Sequence, residues 1–463
     1  MPLPSFVHTF RDAELSLWQA AVNHELGDAD VAAASNSTPE AFLRAATQVG
    51  AAVEALRSLA KRDPIDDILP TKPTLAAADL PSPQAVLGNF LKFGMLVIAL
   101  TRRMGDDPNV FMALLKTRYG NLDPRWADAA LRYFIFVKLG NNGIPGYKPY
   151  QSLTDFVIDG KLRDKARVAL IGDWGTGTQE AEDVLVKLAA KKPDVVIHLG
   201  DVYYAGAPKQ FAIFQQQFQD ILSYDKPGGP LVFTLSGNHD MYSGGGPYYE
   251  TIEKFGQPAS YFCLRNANWQ FVAMDTGFTN SEIKLNLDPD VPDNPHGIQE
   301  KEAIWVRDKV ANAGGRRTIL LSHHQPFSAF EKLSDKGPVN TELLNQMRPV
   351  LGGVCRWYWG HEHDLVVYSN LQKYQGVLGR CLGHGAIPMD SITYRLEDFR
   401  PEEKTGLPIP DLEQAYELDE MTAQPGFYNH GYVIIDLEGP AGTATHYQSP
   451  DPEKQFLAIE QLS

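Results

Sequence analysis

Arg167-Val168-Ala169-Leu170-Ile171-Gly172-Asp173-Trp174-Gly175 is a short apolar run that stops abruptly at a glycine and a carboxylate. The pattern recurs. Asp194-Val195-Val196-Ile197-His198-Leu199 stops at Gly200-Asp201. Leu231-Val232-Phe233-Thr234-Leu235 stops at Ser236-Gly237-Asn238, and Thr318-Ile319-Leu320-Leu321 at Ser322-His323-His324. Each run has the length of a buried strand, and each ends where metal-capable side chains begin. A helix-like stretch, Glu180 to Ala190, separates the first two. Strand, helix, strand implies parallel pairing and an α/β class. Ligands of such sheets bind beyond the carboxyl ends of the strands, so these polar residues are expected to meet in space.

Outward from this core, Tyr432-Val433-Ile434-Ile435-Asp436 and Thr443-Ala444-Thr445-His446-Tyr447 resemble two further strands around a Gly/Pro turn. The acidic, Pro-containing segment from about 400 to 425 is expected to be a surface insertion. Residues 1–160 differ. Helical periodicity runs from Glu40 to Leu59 and from Val110 to Lys138, with a Pro-rich connection, Asp63 to Pro83, between them. The expected division is a mainly α-helical N-terminal domain or cap, 1–160, and a catalytic domain, 161–463.

A chain of 463 residues suggests two or three domains at roughly 100–200 residues each. Hydrophobic residues at 43% leave ample material for a core. The formal net charge of −15, with no long basic run, argues against bulk nucleic-acid binding, which needs clustered Lys and Arg. A small phosphorylated substrate held through metal ions is compatible with it. Cys263, Cys355 and Cys381 have neither disulfide nor metal-site spacing. Met1-Pro2-Leu3-Pro4 does not open a secretory signal. The longest apolar run, Phe93 to Leu100, is far short of the roughly 20 residues that span a bilayer. No membrane association and a cytoplasmic location are expected; the oligomeric state is left open.

Five polar clusters carry the chemistry. They are Gly172-Asp173-Trp174-Gly175, Gly200-Asp201-Val202-Tyr203-Tyr204, Gly237-Asn238-His239-Asp240, His323-His324-Gln325-Pro326 and Gly360-His361-Glu362-His363. Carboxylate, imidazole, amide oxygen and phenolate suit Fe, Mn and Zn. Two cations close together need a shared ligand, and a carboxylate can bridge. Each residue also has a plainer reading. A lone aspartate after an apolar run is more often a helix cap, and His361-Glu362-His363 alone could be a surface turn. Trp174 could place its indole donor near the site, with packing as the alternative, and His384 in Gly383-His384-Gly385 could be a pocket or structural residue. His296 could point at substrate or sit in a solvated loop.

The order and content of the clusters, from about 165 to about 390, resemble the calcineurin-like metallophosphoesterase superfamily. That implies a β-sandwich flanked by helices. Most members have Asp-x-His in the first cluster. Here Asp173-Trp174-Gly175 lacks the histidine, and a tyrosine follows Asp201 by three residues, which is similar to purple acid phosphatases. The resemblance implies one metal on Asp173, Asp201, Tyr204 and His363. It implies a second on Asp201, Asn238, His324 and His361, with Asp201 bridging and His239 acting on the phosphoryl group or leaving oxygen. The His-x-Pro spacing favours His324 over His323, which would then stand behind the ligands; Tyr203 would pack away from the site. A phenol with pKa near ~10 needs a strongly polarising cation to ionise, so Fe(III) is expected at the Tyr204 position and Fe(II), Zn or Mn at the other. The implied activity is in-line hydrolysis of phosphate monoesters. The alternatives are a phosphodiesterase or nucleotide hydrolase on the same core, and a metal-binding scaffold that works through the helical region.

Overall fold

The computed structural model describes residues 146–462 apart from 204–205, 243, 280–296, 329–332, 334–338, 369–377, 388–411, 416–419, 422–423, 450–453 and 456–459. The expected N-terminal helices, Tyr204, His296 and most of the 400–425 segment lie outside these residues.

The apolar runs that stop at polar residues become strands. In chain order the strands are β1 (Val157–Asp159), β2 (Lys165–Ile171), β3 (Val195–His198), β4 (Leu231–Thr234), β5 (Phe262–Arg265), β6 (Trp269–Ala273) and β7 (Arg317–Leu321). They continue with β8 (Val354–Trp359), β9 (Leu365–Tyr368), β10 (Gly379–Leu382), β11 (Leu412–Ala415), β12 (Glu420–Met421) and β13 (Gln424–Tyr428). Last come β14 (His430–Glu438), β15 (Ala441–Ser449), β16 (Lys454–Gln455) and β17 (Glu460–Gln461). One mixed sheet runs β1-β5-β6-β7-β8-β10-β9-β11. The other runs β16-β15-β14-β2-β3-β4, with β17 on β15. The strands β12 and β13 pair separately.

The expected βαβ unit is present: β2 and β3 are parallel, with Val168 opposite Val195, and β3 and β4 are parallel, with Val195 opposite Leu231. The helix α1 (Gln179–Ala190) joins the first pair. Thr178 caps it by accepting from the Ala181 amide at 3.2 Å. Glu180 and Glu182 lie in its first turn and Lys187 in its last, each the favourable sign for the helix dipole. Its buried residues Ala181, Val184, Leu185 and Leu188 pack with Ala169 and Ile171 of β2. Val168 and Leu170, on the other side of the pleat, are also fully buried, so β2 is covered on both faces. That is why its sequence is continuously apolar rather than alternating. The helix α2 (Pro208–Gln217) adds Phe211 and Phe214 to the same layer.

Residues before 161 belong to the first sheet as well: β1 pairs with β5 in parallel. Backbone 412–415 adds an edge strand on β9. A bond from the Trp269 indole on β6 to the Gly439 carbonyl, 2.9 Å, ties the two sheets together near the β14–β15 turn.

Candidate metal centre

The parallel strands deliver their carboxyl ends to one place. Past β2 and β3, the Leu199 amide donates to Ile171 O at 2.8 Å and the Asp173 amide to Gly200 O at 3.2 Å, so Asp173 and Asp201 lie on neighbouring loops. Past β4, the Leu235 amide donates to His198 O at 2.9 Å, which carries Asn238 and His239 alongside. In the other sheet the Ser322 amide donates to Tyr358 O and the Gly360 amide to His323 O, both at 3.1 Å. His323, His324, His361 and His363 are thereby presented from β7 and β8.

The loops are tightly wound. Asp173, Asp201 and His361 have φ of 54°, 73° and 69°, a left-handed conformation uncommon outside glycine. Such backbone costs on the order of 1–3 kcal/mol per residue and clusters at functional sites. Two glycines are required by close approach. A Cβ on Gly237 would lie 2.0 Å from Asp201 Oδ1, and one on Gly360 would lie 2.5 Å from Asp173 Oδ2.

Asp201 is the hub. Its Oδ1 accepts from the His239 amide at 3.0 Å. Its Oδ2 lies 3.3 Å from His323 Nε2 and 4.0 Å from His239 Nε2. His323 Nε2 also lies 3.2 Å from Asn238 Oδ1 and 3.3 Å from His361 Nδ1. Its Nδ1 donates to Leu199 O at 2.9 Å, which turns the lone pair of Nε2 toward this group. That is the usual arrangement of a metal-binding imidazole. Asp173 Oδ2 accepts from the His361 amide at 2.7 Å, and its Oδ1 lies 3.7 Å from His363 Nε2. Metal–donor bonds of ~2.0–2.2 Å put adjacent donors ~2.8–3.8 Å apart for angles of about 90° to 120°. The spacings here fall in that range, so these residues are suited to hold metal ions.

The electrostatics agree. Burial, then the nearby Asp201 charge, pushes Asp173 up to about 7. Asp201 is held below its ordinary value: burial would raise it, but His323 and His239 outweigh burial. Burial would likewise lower His323, yet Asp201, Asp173 and Asp240 raise it to about 9. Buried carboxylates therefore create a potential that favours positive charge at the centre of the group.

Of the residues expected at the site, Asp173, Asp201, Asn238, His361 and His363 come together, with His239 beside them. Tyr204 lies outside the described residues. The spacing to Pro326 favours His324 as the donor near Asn238, but the ring nitrogen found there belongs to His323. His324 takes Thr276 Oγ1 at 3.0 Å through Nδ1 and lies close to His361, ring centroids 4.5 Å apart. Both imidazoles lie in one potential metal-holding group with His361. Tyr203, expected to pack away, instead donates its hydroxyl to Asp173 Oδ1 at 2.8 Å. Trp174 is turned into the helical layer: its Nε1 donates to Ala181 O at 2.7 Å and its ring packs on Phe214 and Phe218. His384 is buried against Gly431, whose amide donates to His384 O at 2.9 Å.

Three residues have supporting roles that the sequence analysis did not assign. Asp240 accepts from the amides of Gly237, Val202 and Asp201 at 2.7, 2.8 and 3.0 Å, which pins two site loops together. Thr276 holds the amide and ring of His324. Glu362 accepts from the Trp359 indole at 3.3 Å and from Ser328. The stretch Met274-Asp275-Thr276-Gly277, directly after β6, repeats the pattern of a strand ending in polar residues and could have pointed to Thr276.

The chain is 29% identical over 138 residues to the 3',5'-cyclic adenosine monophosphate phosphodiesterase CpdA of Escherichia coli, in strains K12 and O157:H7. The match takes in 29% of this chain and 42% of each relative, so the chain spans well under half the length of the curated relatives it matches. Among solved structures, GAP50, the anchor in the inner membrane complex of Plasmodium, aligns at 14% identity and a TM-score of 0.42, over 65% of this chain and 89% of that one. Vps29 of Chaetomium thermophilum aligns at 12% identity and 0.26, over 64% and 96%. Among the described residues no helix is long and apolar enough to cross a membrane. Residues 166–365 match the family model described as calcineurin-like phosphoesterase, so the chain carries a domain of that kind over this stretch.

Proposed function

We propose that this chain hydrolyses phosphate esters at a two-metal centre, with Asp173 and His363 serving one position, Asn238, His323 and His361 the other, and Asp201 between them. The observation that supports it is the run of donor spacings through Asp201 and His323, 3.2–3.3 Å, and through Asp173 and His363, 3.7 Å. His324, oriented by Thr276, is the remaining candidate donor. Two cations bound there would polarise phosphoryl oxygens and lower the pKa of water from 15.7 towards ~7.

The chain's own groups do the rest. Asp201 Oδ1 is held by the His239 amide, while Oδ2 faces His323 and is the oxygen placed to be shared. The same Oδ2 lies 4.0 Å from His239 Nε2. Held by its amide on Asp201 Oδ1, His239 is proposed to donate to the phosphoryl group or to the leaving oxygen, help worth ~10²–10⁴-fold.

Phosphomonoesters are the first reading for substrate. The first cluster lacks the usual histidine, as the resemblance to purple acid phosphatases implies; that resemblance names Tyr204 as the phenol donor, and the described phenol against Asp173 is that of Tyr203. Ferric iron beside the phenol donor, with Fe(II), Zn or Mn at the other position, goes with this reading. A second reading, phosphodiesters or cyclic nucleotides, is supported by the name of the CpdA relatives. Turnover of an aryl phosphate against a bis-aryl phosphate, at matched metal loading, separates them. Preference for the monoester is expected; faster diester turnover would overturn that choice while keeping the metal centre.

A further inference from the structure

Thr276 orients His324, and the strand end that carries Thr276 is itself held from behind. We propose that Glu302 and Tyr147 are positioning residues for the second metal position, acting through Asp275-Thr276-Gly277. The assignment rests on the two-metal reading above and concerns what holds two of its candidate donors, Asn238 and His324, in place.

Each link is a direct hydrogen bond. Glu302, on the helix Glu300–Ala311, accepts from the Asp275 amide through Oε1 at 2.8 Å. Its Oε2 accepts from the Tyr147 hydroxyl at 3.0 Å. Thr276, next along the chain, sets its hydroxyl oxygen 3.0 Å from both the amide and the Nδ1 of His324. Asp275 extends the support to the other donor. Its Oδ1 accepts from the Phe278 amide at 2.9 Å and from the Ser236 hydroxyl, and Ser236 Oγ accepts from the Gly277 amide at 3.2 Å. Ser236 leads through Gly237 into Asn238. A Cβ on Gly277 would lie 2.6 Å from Gly237 O, so the two loops meet with no room for a side chain.

Ser236, Asp275, Thr276 and Glu302 are all fully buried, where a polar group is costly without its partner and so is held to the bond it makes. The Tyr147 ring packs on Phe278, centroids 4.5 Å apart, and on Tyr261 at 5.8 Å, which keeps its hydroxyl at Glu302. Burial, then the Asp275 carboxylate, raises Glu302 well above the ordinary carboxyl range. A neutral carboxyl keeps both bonds, because a phenol hydroxyl accepts as well as donates, and a glutamine amide keeps them in the same way.

The test titrates zinc into the chelator-stripped full chain by calorimetry, as wild type, Glu302→Ala, Glu302→Gln and Tyr147→Phe, with thermal unfolding of the metal-free chains alongside. His363→Ala identifies the binding step that belongs to the first position. Glu302→Ala is expected to weaken the other step ~10-fold, the low end of what losing an outer partner costs, and to leave the first step within about twofold. Tyr147→Phe, which keeps the ring, is expected to weaken that step about threefold, and Glu302→Gln to hold wild-type affinity. Equal weakening of both steps, or a lower melting temperature with unchanged zinc affinity, would make the network merely structural and overturn the proposal. If Glu302→Ala does not fold, Tyr147→Phe decides alone: selective weakening of the second step supports the assignment and an unchanged second step overturns it. Wild type that binds no zinc would sink the two-metal reading, and this assignment with it.

Discussion

His323 Nε2 lies 3.3 Å from Asp201 Oδ2, while its Nδ1 donates to the Leu199 carbonyl of the strand that ends at Asp201. One imidazole is thus oriented by the same chain segment whose carboxylate it faces. The neighbouring His324 is oriented by Thr276 on a different strand end. His323→Ala is therefore expected to weaken binding of the second metal by more than the ~10–100-fold typical of losing an outer partner. Thr276→Val, which removes only the hydroxyl that orients His324, should stay within that range. Metal titration of both variants checks the order, and the reverse order would return the ligand role to His324.

Asp240 predicts a structural effect that registers at the site. Its carboxylate accepts three buried amides, from Gly237, Val202 and Asp201. An unsatisfied buried amide costs ~1–3 kcal/mol, so Asp240→Ala is expected to lose several kcal/mol. Asp240→Asn, which keeps an acceptor oxygen, should lose less. Denaturant unfolding gives both values; equal stability of the two variants would deny Asp240 its pinning role.

His239 should separate chemistry from metal binding. His239→Ala is expected to lower kcat by ~10²–10⁴-fold, with a larger loss for alkyl than for aryl leaving groups, because poor leaving groups need the proton more. Metal content should stay near wild type. Equal losses for both leaving groups would move His239 from acid to phosphate binder.

Buried imidazoles that do not take up protons in the fold contribute stability that is lost as pH falls below neutral. Burial, and then neighbouring His430 and His446, lowers His384 to about 3; burial lowers His430 to about 4. Unfolded histidine titrates near ~6.5. Between these values the unfolded chain binds more protons at these two positions, so their contribution to stability rises with pH across that window and levels off above ~6.5. Each such histidine contributes up to ~1.4 kcal/mol per pH unit. His430→Gln should reduce the slope of unfolding free energy between pH 4.5 and 6.5 by about one proton. An unchanged slope would show that His430 protonates in the fold.

The fold was legible because the strands are covered on both faces. Val168 to Ile171 and Val195 to Ile197 are continuous apolar runs, and continuous runs that stop at a polar residue announce both a strand and its carboxyl end. The same stops named Asp173, Asp201 and Asn238. What spacing could not settle was which of two adjacent side chains turns inward. At His323–His324 the choice depends on loop backbone, and three site residues hold left-handed φ that no periodicity encodes. The role of Asp240 was hidden for another reason: its partners are backbone amides, two of them from the Asp201 loop, and these leave no trace in residue type.

The central claim is a two-metal phosphoesterase centred on Asp201. The most direct measurement pairs metal analysis with phosphate-ester turnover for wild type and Asp201→Asn, each stripped by chelation and then reconstituted. The account predicts about two metal ions per wild-type chain, turnover that disappears on chelation and returns on reconstitution, and loss of both metal and turnover in Asp201→Asn. Turnover that survives complete chelation, or an Asp201→Asn chain that binds metal and hydrolyses esters as wild type does, would contradict it.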